Sequence, residues 1–309
     1  MRLASPIVRR LPGRVRQQLT RAGLERRIVW ILGSPRSGTT WLGSLLAMLT
    51  SATLIDEPLL GAHLAVPVAA VTSVPTATDP LLYEASASNR AYFFSTKSKQ
   101  AWQPGLRSLV LRRFAWSVVE GGSASGPVLV KEPNGSLGAP LLLPALPRSR
   151  LLFVVRDGRD VVDSLVDGAA GGWITETHGS MVDEAGRQDF IERRAHHWVR
   201  TVDAVKQAYD SHDAGLRLQV TYEALRADTN REVERILRWL GRDDALPAMP
   251  ALIEKQSFEN LPSDQTGAGR FARSATPGLW REHFSGAEQQ RLEEIMGPVL
   301  GRLGYEVGQ

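Results

Sequence analysis

A glycine-rich segment near the start of the chain has the composition and spacing of a phosphate-binding loop. Four residues separate Gly33 from Gly38, and Thr39 and Thr40 follow directly. Glycines let a backbone approach a phosphate closely, and N–H groups at the start of the next helix point at the anion. P-loop NTPases carry Lys after the second glycine, whereas Thr39 stands here and the cation of the segment is Arg36. The segment therefore predicts anion binding and disfavours a P-loop phosphotransferase or NTPase.

A second cationic segment has the spacing of another anion site. Arg156 directly follows an apolar run at residues 151–155, and Ser164 stands eight residues later. An arginine at the end of a strand and a serine in the helix that follows can converge on one phosphate group. Arg36 and Arg156 are 120 residues apart, as expected for separate strands of one sheet.

Apolar runs with helical stretches between them predict the elements that carry these loops. The run at residues 28–32, the glycine loop and a helical stretch at 41–49 form the strand–loop–helix opening of a parallel α/β fold. Residues 61–126 are irregular in pattern and are interpreted either as an acceptor pocket or lid, or as ordinary packing. The other predicted strands are at residues 128–130, 151–155 and 216–220, and the other predicted helices are at 158–166, 190–209, 231–240 and from a Ser285–Glu288 capping box to residue 303.

The two anion motifs together resemble those of the sulfotransferases that use 3′-phosphoadenosine 5′-phosphosulfate (PAPS). Gly-Ser-Pro-Arg-Ser-Gly-Thr-Thr-Trp at residues 33–41 is similar to the family's 5′-phosphosulfate loop, and the pair of Arg156 and Ser164 is similar to its 3′-phosphate motif. A third match is the segment at 273–284, which keeps the family's Arg, Gly, Trp and Phe but has Ser274 and Ala275 in place of Lys-Gly. The resemblance covers roughly residues 28–304, and it implies a single α/β domain with a central parallel sheet flanked by helices and a P-loop-like PAPS-binding fold.

The resemblance implies PAPS as the cofactor, the desulfated nucleotide PAP as the product, and no metal ion. Arg36 corresponds to the cation near the bridging oxygen, and Thr39 and Thr40 to the residues that hold the 5′-phosphate. Trp41 is placed like the tryptophan that stacks on the purine. For Trp41, Tyr222 and Phe258, core packing is a competing interpretation. The predicted cofactor-binding residues are Ser34, Arg36, Ser37, Gly38, Thr39, Thr40, Trp41, Arg156, Ser164, Tyr222, Phe258 and Arg273.

Sulfuryl transfer to a hydroxyl or amine requires a group that takes the acceptor's proton. The cytosolic branch of the family uses a histidine just after a lysine, but the corresponding residues here are Lys131, Glu132 and Pro133. Glu57 resembles the glutamate base of other branches and is the preferred candidate. Glu132 is the alternative, and Lys131 is interpreted as a cation that reaches the sulfuryl oxygens.

Composition limits the remaining interpretations. The chain has 309 residues, no cysteine, 37 Lys and Arg and 33 Asp and Glu, so it carries a formal charge of +4. Residues 1–27 hold eight arginines and one glutamate, which leaves the rest of the chain near −3. We therefore expect an Arg-rich extension at 1–27 followed by a catalytic domain at 28–309, with no nucleic-acid partner. The absence of cysteine excludes disulfides and thiolate metal sites.

The acceptor is predicted only as a small molecule, a carbohydrate or a peptide. No apolar run approaches the roughly 18–20 residues of a membrane span. We therefore expect a cytoplasmic protein that has no transmembrane span. Peripheral membrane contact through residues 1–27 is an alternative to simple solvation of that segment. A non-catalytic nucleotide-binding protein is the remaining alternative function, and the oligomeric state is left open.

Overall fold

The computed structural model describes residues 21–61, 64, 94–121, 126–170, 186–257, 260, 267 and 276–308. Its centre is one five-stranded parallel sheet with the strand order β2-β3-β1-β4-β5. This confirms the predicted central parallel sheet. The strands are β1 (Ile28–Gly33), β2 (Thr53–Asp56), β3 (Val128–Lys131), β4 (Arg150–Val155) and β5 (Arg217–Thr221).

The central strands are apolar along their whole length because helices cover both faces of a parallel sheet. Every residue of β1 and β3 is buried, and so is all of β4 after Arg150. β1 pairs with β3 in parallel, with Ile28 opposite Val128 and Ile31 opposite Lys131. A continuous apolar run is thus the correct signal for these strands. A search for alternating apolar and polar residues would not identify them.

Helices connect and flank the strands. Those predicted from the sequence are present, and each begins or ends within a few residues of its expected position. The Ser285 capping box is formed on both sides, with the Ser285 side chain accepting from the Glu288 amide and the Glu288 side chain accepting from the Ser285 amide. The described helices are α1 (Arg21–Arg27), α2 (Thr39–Thr50), α3 (Lys99–Glu120), α4 (Ala139–Ala145), α5 (Gly158–Ala169), α6 (Arg187–Ser211), α7 (Tyr222–Ala227), α8 (Thr229–Leu240), α9 (Met249–Lys255), α10 (Trp280–His283) and α11 (Gly286–Leu303).

The prediction of irregular structure at residues 61–126 is wrong for the second half of this range. There the 22-residue helix α3 is formed. Pro104 and Gly105 in the second turn argue against a helix in the sequence, because proline removes a backbone donor and glycine is a poor helix former. The helix forms nevertheless because it buries an apolar residue at every fourth position, which is the spacing of one helix face. These residues are Trp102, Leu106, Val110, Phe114 and Val118.

The end of the segment predicted as an Arg-rich extension forms α1, and this helix is packed rather than solvated. Leu24 and Glu25 are both fully buried. Glu25 accepts hydrogen bonds from the Arg107 guanidinium and from the Arg148 amide at 2.9 Å. Residues 1–20, with the rest of the Arg-rich segment, lie outside the described residues.

The chain divides into two compact units, each with its own interior. One comprises residues 1–32, 42–153 and 204–218, and in it Trp30 packs on Phe114 with ring centroids 5.7 Å apart. The other comprises residues 33–41, 154–203 and 219–309. There Gly158 is so close to Trp198 that an added Cβ would lie 2.6 Å from its ring. Among the described residues, no helix combines the length and apolar character required to cross a membrane.

Candidate functional site

The loop between β1 and α2 has a backbone that only glycine tolerates at two positions. A Cβ on Gly33 would lie 2.0 Å from the carbonyl oxygen of Val154, and a Cβ on Gly38 would lie 2.9 Å from the Tyr222 ring. Gly38 is also left-handed, with φ of 80°. Arg36 adopts φ of 68°, which is uncommon for a residue with a side chain. The predicted phosphate loop is therefore a tight turn whose backbone is closely packed.

The two predicted anion motifs meet at Arg36. Its Nε donates to Ser164 Oγ at 3.0 Å, and its carbonyl oxygen accepts from Nη1 of Arg156 at 3.0 Å. The Arg156 guanidinium also lies over the Tyr222 ring, 4.5 Å from the centroid. Residues separated by 120 or more positions from Arg36 thus form one cationic cluster with it, composed of Arg36, Arg156, Ser164 and Tyr222.

Two buried polar atoms at this cluster and its loop have no partner in the described structure, namely Nε of Arg156 and Oγ of Ser37. A buried donor left without an acceptor costs about 1–3 kcal/mol. An anionic ligand would supply the missing acceptors, and guanidinium groups bind phosphate and sulfate oxygens with matching geometry. The residues present therefore fit a nucleotide with anionic groups.

Strand order places this cluster where nucleotides bind in open α/β sheets. β1 and β4 are neighbours, and the chain leaves β1 toward one edge of the sheet and β4 toward the other. Ligands of such sheets occupy the crevice at the carboxyl ends of the strands where the order reverses. The glycine loop follows β1 and Arg156 follows β4, so both stand at that position.

Three acidic residues at the start of α5 make structural contacts that were not predicted from the sequence. Asp157 caps α5 by accepting from the Arg159 amide. Asp160 accepts from the amides of Gly278 at 2.8 Å and Trp280 at 3.4 Å, and Asp163 lies 3.0 Å from Nδ1 of His283. Burial raises the pKa of Asp160, although the Gly278 amide and the charge of Arg156 oppose the rise. The signal in the sequence was an acid at every third position.

Asp160 and Asp163 therefore anchor the described part of the third motif. That part contains Gly278, Trp280, Arg281 and Phe284. The predicted phosphate ligand Arg273 lies outside the described residues, and so does Phe258. Both stay predictions.

The remaining cofactor candidates are distributed around the loop. Trp41 donates from Nε1 to the carbonyl oxygen of Gln256 at 2.6 Å, which brings together the predicted purine-stacking residue and the start of the segment that ends in Phe258. Ser34 and Thr39 are buried, whereas Thr40 at the start of α2 is exposed. Burial raises the pKa of Tyr222, so its phenol stays neutral.

The candidate bases form a second cluster at the ends of β2 and β3. Lys131 Nζ lies 2.7 Å from Glu57 Oε1 and 2.6 Å from Asp56 Oδ1, and the side-chain amide of Asn134 donates to Glu57 Oε2. The Glu57 side chain is 29% exposed. This carboxylate is therefore oriented by a cation and an amide, and its exposed part is accessible to a ligand.

Glu132 has a different environment although it is next to Lys131. Its side chain is fully buried, Oε1 accepts from the Gly61 amide at 2.5 Å, and Oε2 has no partner in the described structure. Burial raises the pKa of Glu132 to about 7, the Gly61 hydrogen bond opposes the rise, and the charge of Glu57 adds to it. Among the described residues, no group of three His, Asp or Glu side chains is arranged to hold a metal ion.

The fold and the glycine loop define an α/β protein with a P-loop-like fold. The chain matches the model of the sulfotransferase family over residues 29–245, and it belongs to that family. This confirms the family predicted from the two motifs.

Curated relatives agree with this membership. The chain is 23% identical to rat sulfotransferase 1C2 over 34% of this chain and 40% of the relative, and 24% identical to zebrafish cytosolic sulfotransferase 1 over 48% and 52%. The chain thus spans about half the length, or less, of the curated relatives it matches.

Solved structures show the same fold at low identity. A mouse sulfotransferase complexed with PAP aligns with a TM-score of 0.54 at 12% identity, covering 92% of this chain and 90% of that one. A sulfotransferase from Mycobacterium avium aligns with a TM-score of 0.53 at 16% identity, covering 98% and 87%. Retinol dehydratase in complex with androsterone and PAP aligns with a TM-score of 0.51 at 15% identity, covering 96% and 87%.

Proposed function

We propose that this protein transfers the sulfuryl group of PAPS to a hydroxyl or amine of an acceptor. The observation that carries the proposal is the meeting of the glycine loop and the second anion motif at Arg36, in a chain that belongs to the sulfotransferase family. Two linked cationic motifs suit a nucleotide with anionic groups at both ends of its ribose. The PAP complexes among the related structures support the same cofactor.

The loop and the cationic cluster would hold the two ends of the nucleotide. Backbone N–H groups at the start of α2, with Thr39 and Thr40, would bind the 5′-phosphate, and Arg156 with Ser164 would bind the 3′-phosphate. Trp41 would support the purine ring. Ser34, Ser37, Gly38 and Tyr222 complete the described part of the proposed site, and Phe258 and Arg273 are assigned to it from the sequence alone.

When bound, PAPS supplies a sulfuryl group that is transferred to the acceptor with PAP as the leaving group. Arg36 would neutralise charge that develops near the bridging oxygen, because a fixed cation in a preorganised site stabilises such charge without reorganisation. Its hydrogen bond to Ser164 and its left-handed backbone hold the guanidinium in place. Lys131 would act as a second cation, toward the sulfuryl oxygens.

Glu57 is the proposed general base, with Glu132 as the alternative. A base must be within hydrogen-bond reach of the proton it removes. Glu57 is partly exposed and oriented by Lys131 and Asn134, whereas Glu132 is fully buried. These observations favour Glu57.

The proposed acceptor is a small molecule, with a carbohydrate or a peptide as alternatives. One related structure contains androsterone and another contains retinol, which supports the first choice. The proposed location is the cytoplasm, as for the relative named cytosolic sulfotransferase 1. A screen of phenols, sterols, oligosaccharides and tyrosine peptides with isotopically labelled PAPS, read by mass increase, would identify the acceptor class.

Calorimetry with nucleotides tests the function without knowledge of the acceptor. We expect PAP to bind more tightly than AMP, which lacks the 3′-phosphate, and binding to need no Mg²⁺. Arg36→Ala should weaken PAP binding about 10-fold or more, since a hydrogen bond to a charged group contributes about 1.5–3 kcal/mol. Equal affinity for PAP and AMP, or Mg²⁺-dependent ATP turnover, would contradict the proposal.

Glu57→Gln tests the base. The substitution keeps the size of the side chain and removes its ability to take a proton, so we expect turnover to fall about 100-fold or more while PAP affinity is retained. Turnover and calorimetry on the same preparation measure the two effects. Wild-type turnover in this variant would transfer the role to Glu132.

A further inference from the structure

The segment between β2 and the start of the next helical turn is held in an unfavourable backbone conformation. Glu57 has φ of 43° and Leu59 has φ of 54°, so two residues with side chains adopt the left-handed region within three positions. Such residues persist only where the surroundings determine them, and they occur frequently at functional sites. The 57–61 segment carries the proposed base at its first position, so the contacts that hold it bear on catalysis.

The first end of the 57–61 segment is fixed at β3. The Glu57 amide donates to the carbonyl oxygen of Lys131 at 2.8 Å, which extends the pairing of β2 and β3 by one residue. The carboxylate is held by Lys131 Nζ and the Asn134 amide. These contacts place residue 57, but they do not reach Gly61.

The second end is fixed by Glu132. The Gly61 amide donates to Glu132 Oε1, and the Glu132 carbonyl oxygen in turn accepts from Ser136 Oγ at 3.0 Å. A Cβ on Gly61 would lie 1.8 Å from the carbonyl oxygen of Gly135, and a Cβ on Gly138 would lie 2.4 Å from the Gly61 Cα. The turn after Glu132 therefore packs backbone to backbone against Gly61.

We infer that Glu132 is a positioning residue, which holds the strained 57–61 segment through Gly61 and so keeps the Glu57 carboxylate on Lys131 and Asn134. This inference rests on the proposed function, in which Glu57 is the base. Glu132 is fully buried whereas Glu57 is partly exposed, and this difference favours an indirect role for Glu132 over direct proton transfer. A displacement of about 1 Å in a reacting group can lower turnover about 100-fold, so an indirect contact is sufficient to control the rate.

The protonation state of Glu132 should be visible at Gly61. Among the described residues, the charge of Glu57 favours protonation of Glu132, and the adjacent Lys131 pairs with both Glu57 and Asp56. An ionised carboxylate accepts a stronger hydrogen bond than a neutral one. Titration of Glu132 should therefore move the Gly61 amide proton downfield as pH rises through about 7.

Two substitutions at Glu132 separate positioning from packing. Glu132→Gln keeps an acceptor for the Gly61 amide, and Glu132→Leu removes it with little change in volume. We expect Glu132→Leu to lower kcat about 100-fold with KM for PAPS changed less than about threefold, and Glu132→Gln to restore most of kcat. Gly61→Ala, which leaves Glu132 intact but cannot fit against Gly135, should lower kcat in the same way.

The matched control is Glu25→Gln, because Glu25 is another fully buried glutamate that accepts a main-chain N–H, from Arg148. Loss of stability without loss of kcat is expected there. Amide NMR of wild type, Glu132→Gln and Glu25→Gln gives a readout that needs no acceptor. The Gly61 signal should titrate near pH 7 in wild type and in Glu25→Gln, and should be pH-independent in Glu132→Gln.

The outcomes distinguish this inference from the proposed function. If no acceptor is sulfated, the proposed function fails, but the NMR titration still decides whether Glu132 holds Gly61. A Gly61 signal that does not titrate in wild type, or that titrates unchanged in Glu132→Gln, overturns the inference. Full activity in Glu132→Leu also overturns it, and so does an inactive Glu132→Gln beside an active Glu57→Gln, which would make Glu132 the base.

Discussion

Arg156 shows how one side chain links two sequence motifs. It follows β4, its Nη1 donates to the Arg36 carbonyl oxygen, and its Cζ lies over the Tyr222 ring, 4.5 Å from the centroid. Stacking and hydrogen bonding together fix the orientation of the planar group, which leaves Nε buried and unpartnered in the described structure. A lysine has neither the plane nor the fork to reproduce this arrangement.

Arg156→Lys tests this assignment. We expect PAP affinity to fall about 10-fold or more, because one charge-assisted hydrogen bond contributes about 1.5–3 kcal/mol. AMP affinity should change much less if Arg156 binds the 3′-phosphate, which AMP lacks. Isothermal titration calorimetry with both nucleotides measures the difference, and an equal loss for the two would assign Arg156 to another part of the nucleotide.

Glu132 also makes a prediction about stability and pH. Its pKa is about 7 in the folded protein, whereas an ordinary glutamate has a pKa of 4.5, so the folded state binds the extra proton between these values and stability falls as pH rises from 4.5 to 7. Glu132→Gln removes this loss, which is at most about 3–4 kcal/mol at about 1.4 kcal/mol per pKa unit. We expect the difference in unfolding free energy between variant and wild type to grow in favour of the variant from about pH 5 to about pH 8. Urea denaturation at several pH values measures it, and a constant difference would contradict the assignment.

At the scale of elements, α5 organises one side of the proposed nucleotide site. Its N-cap and first two turns present Asp157, Asp160 and Asp163, of which the last two hold the Gly278–His283 region. A rigid helix positions groups more precisely than a loop does. The third motif thus depends on α5 even though more than 100 residues separate them in sequence.

α6 carries a pH-dependent stability contribution at His197. Burial lowers the pKa of His197 to about 4, and the charges of Arg200 and Arg194 add to the effect. The unfolded chain binds the proton more readily, with an ordinary pKa of 6.5, so stability falls as pH drops from about 6.5 to 4, by at most about 3–4 kcal/mol. We expect His197→Gln to flatten this part of the stability curve, as measured by denaturation between about pH 4 and about pH 7.5. Parallel curves for variant and wild type would contradict a lowered pKa of His197 in the folded protein.

At the scale of the whole molecule, positive charge is concentrated at the start of the chain. Residues 1–20 contain five arginines and no acid, and their removal takes the formal net charge from +4 to −1. The proposed nucleotide site uses three arginines, Arg36, Arg156 and Arg273, and does not depend on this excess. Nucleotide binding therefore does not account for the net positive charge of the chain.

Removal of residues 1–20 should separate the two properties. We expect the full chain to bind vesicles that contain phosphatidylserine at low salt, since each arginine near an anionic surface contributes about 1 kcal/mol. The shortened chain should lose this binding and keep its PAP affinity. Vesicle flotation and calorimetry measure the two effects, with neutral vesicles as the control. Retained vesicle binding in the shortened chain would contradict a role for the extension.

Local pattern was sufficient for the sheet and for the first anion loop. The strands are continuous apolar runs because both faces of a parallel sheet are covered, and the loop has glycines where an added Cβ would collide. The local pattern was insufficient to predict α3, because Pro104 and Gly105 disfavour a helix that packing of its apolar face stabilises. It was also insufficient to predict the burial of Leu24 and Glu25 in α1, because arginines surround them in the sequence.

The sequence by itself determined the family, the strand–loop–helix opening and the residue types of the two anion motifs, because these depend on local spacing and on backbone geometry. Only the tertiary structure decided which side chains meet. It brought Arg156 and Ser164 onto Arg36, and it buried Glu132 against Gly61 while leaving Glu57 partly exposed. Burial and long-range contact arise from the packing of distant segments, so two glutamates that were both candidates in sequence acquire different environments and different proposed roles in the fold.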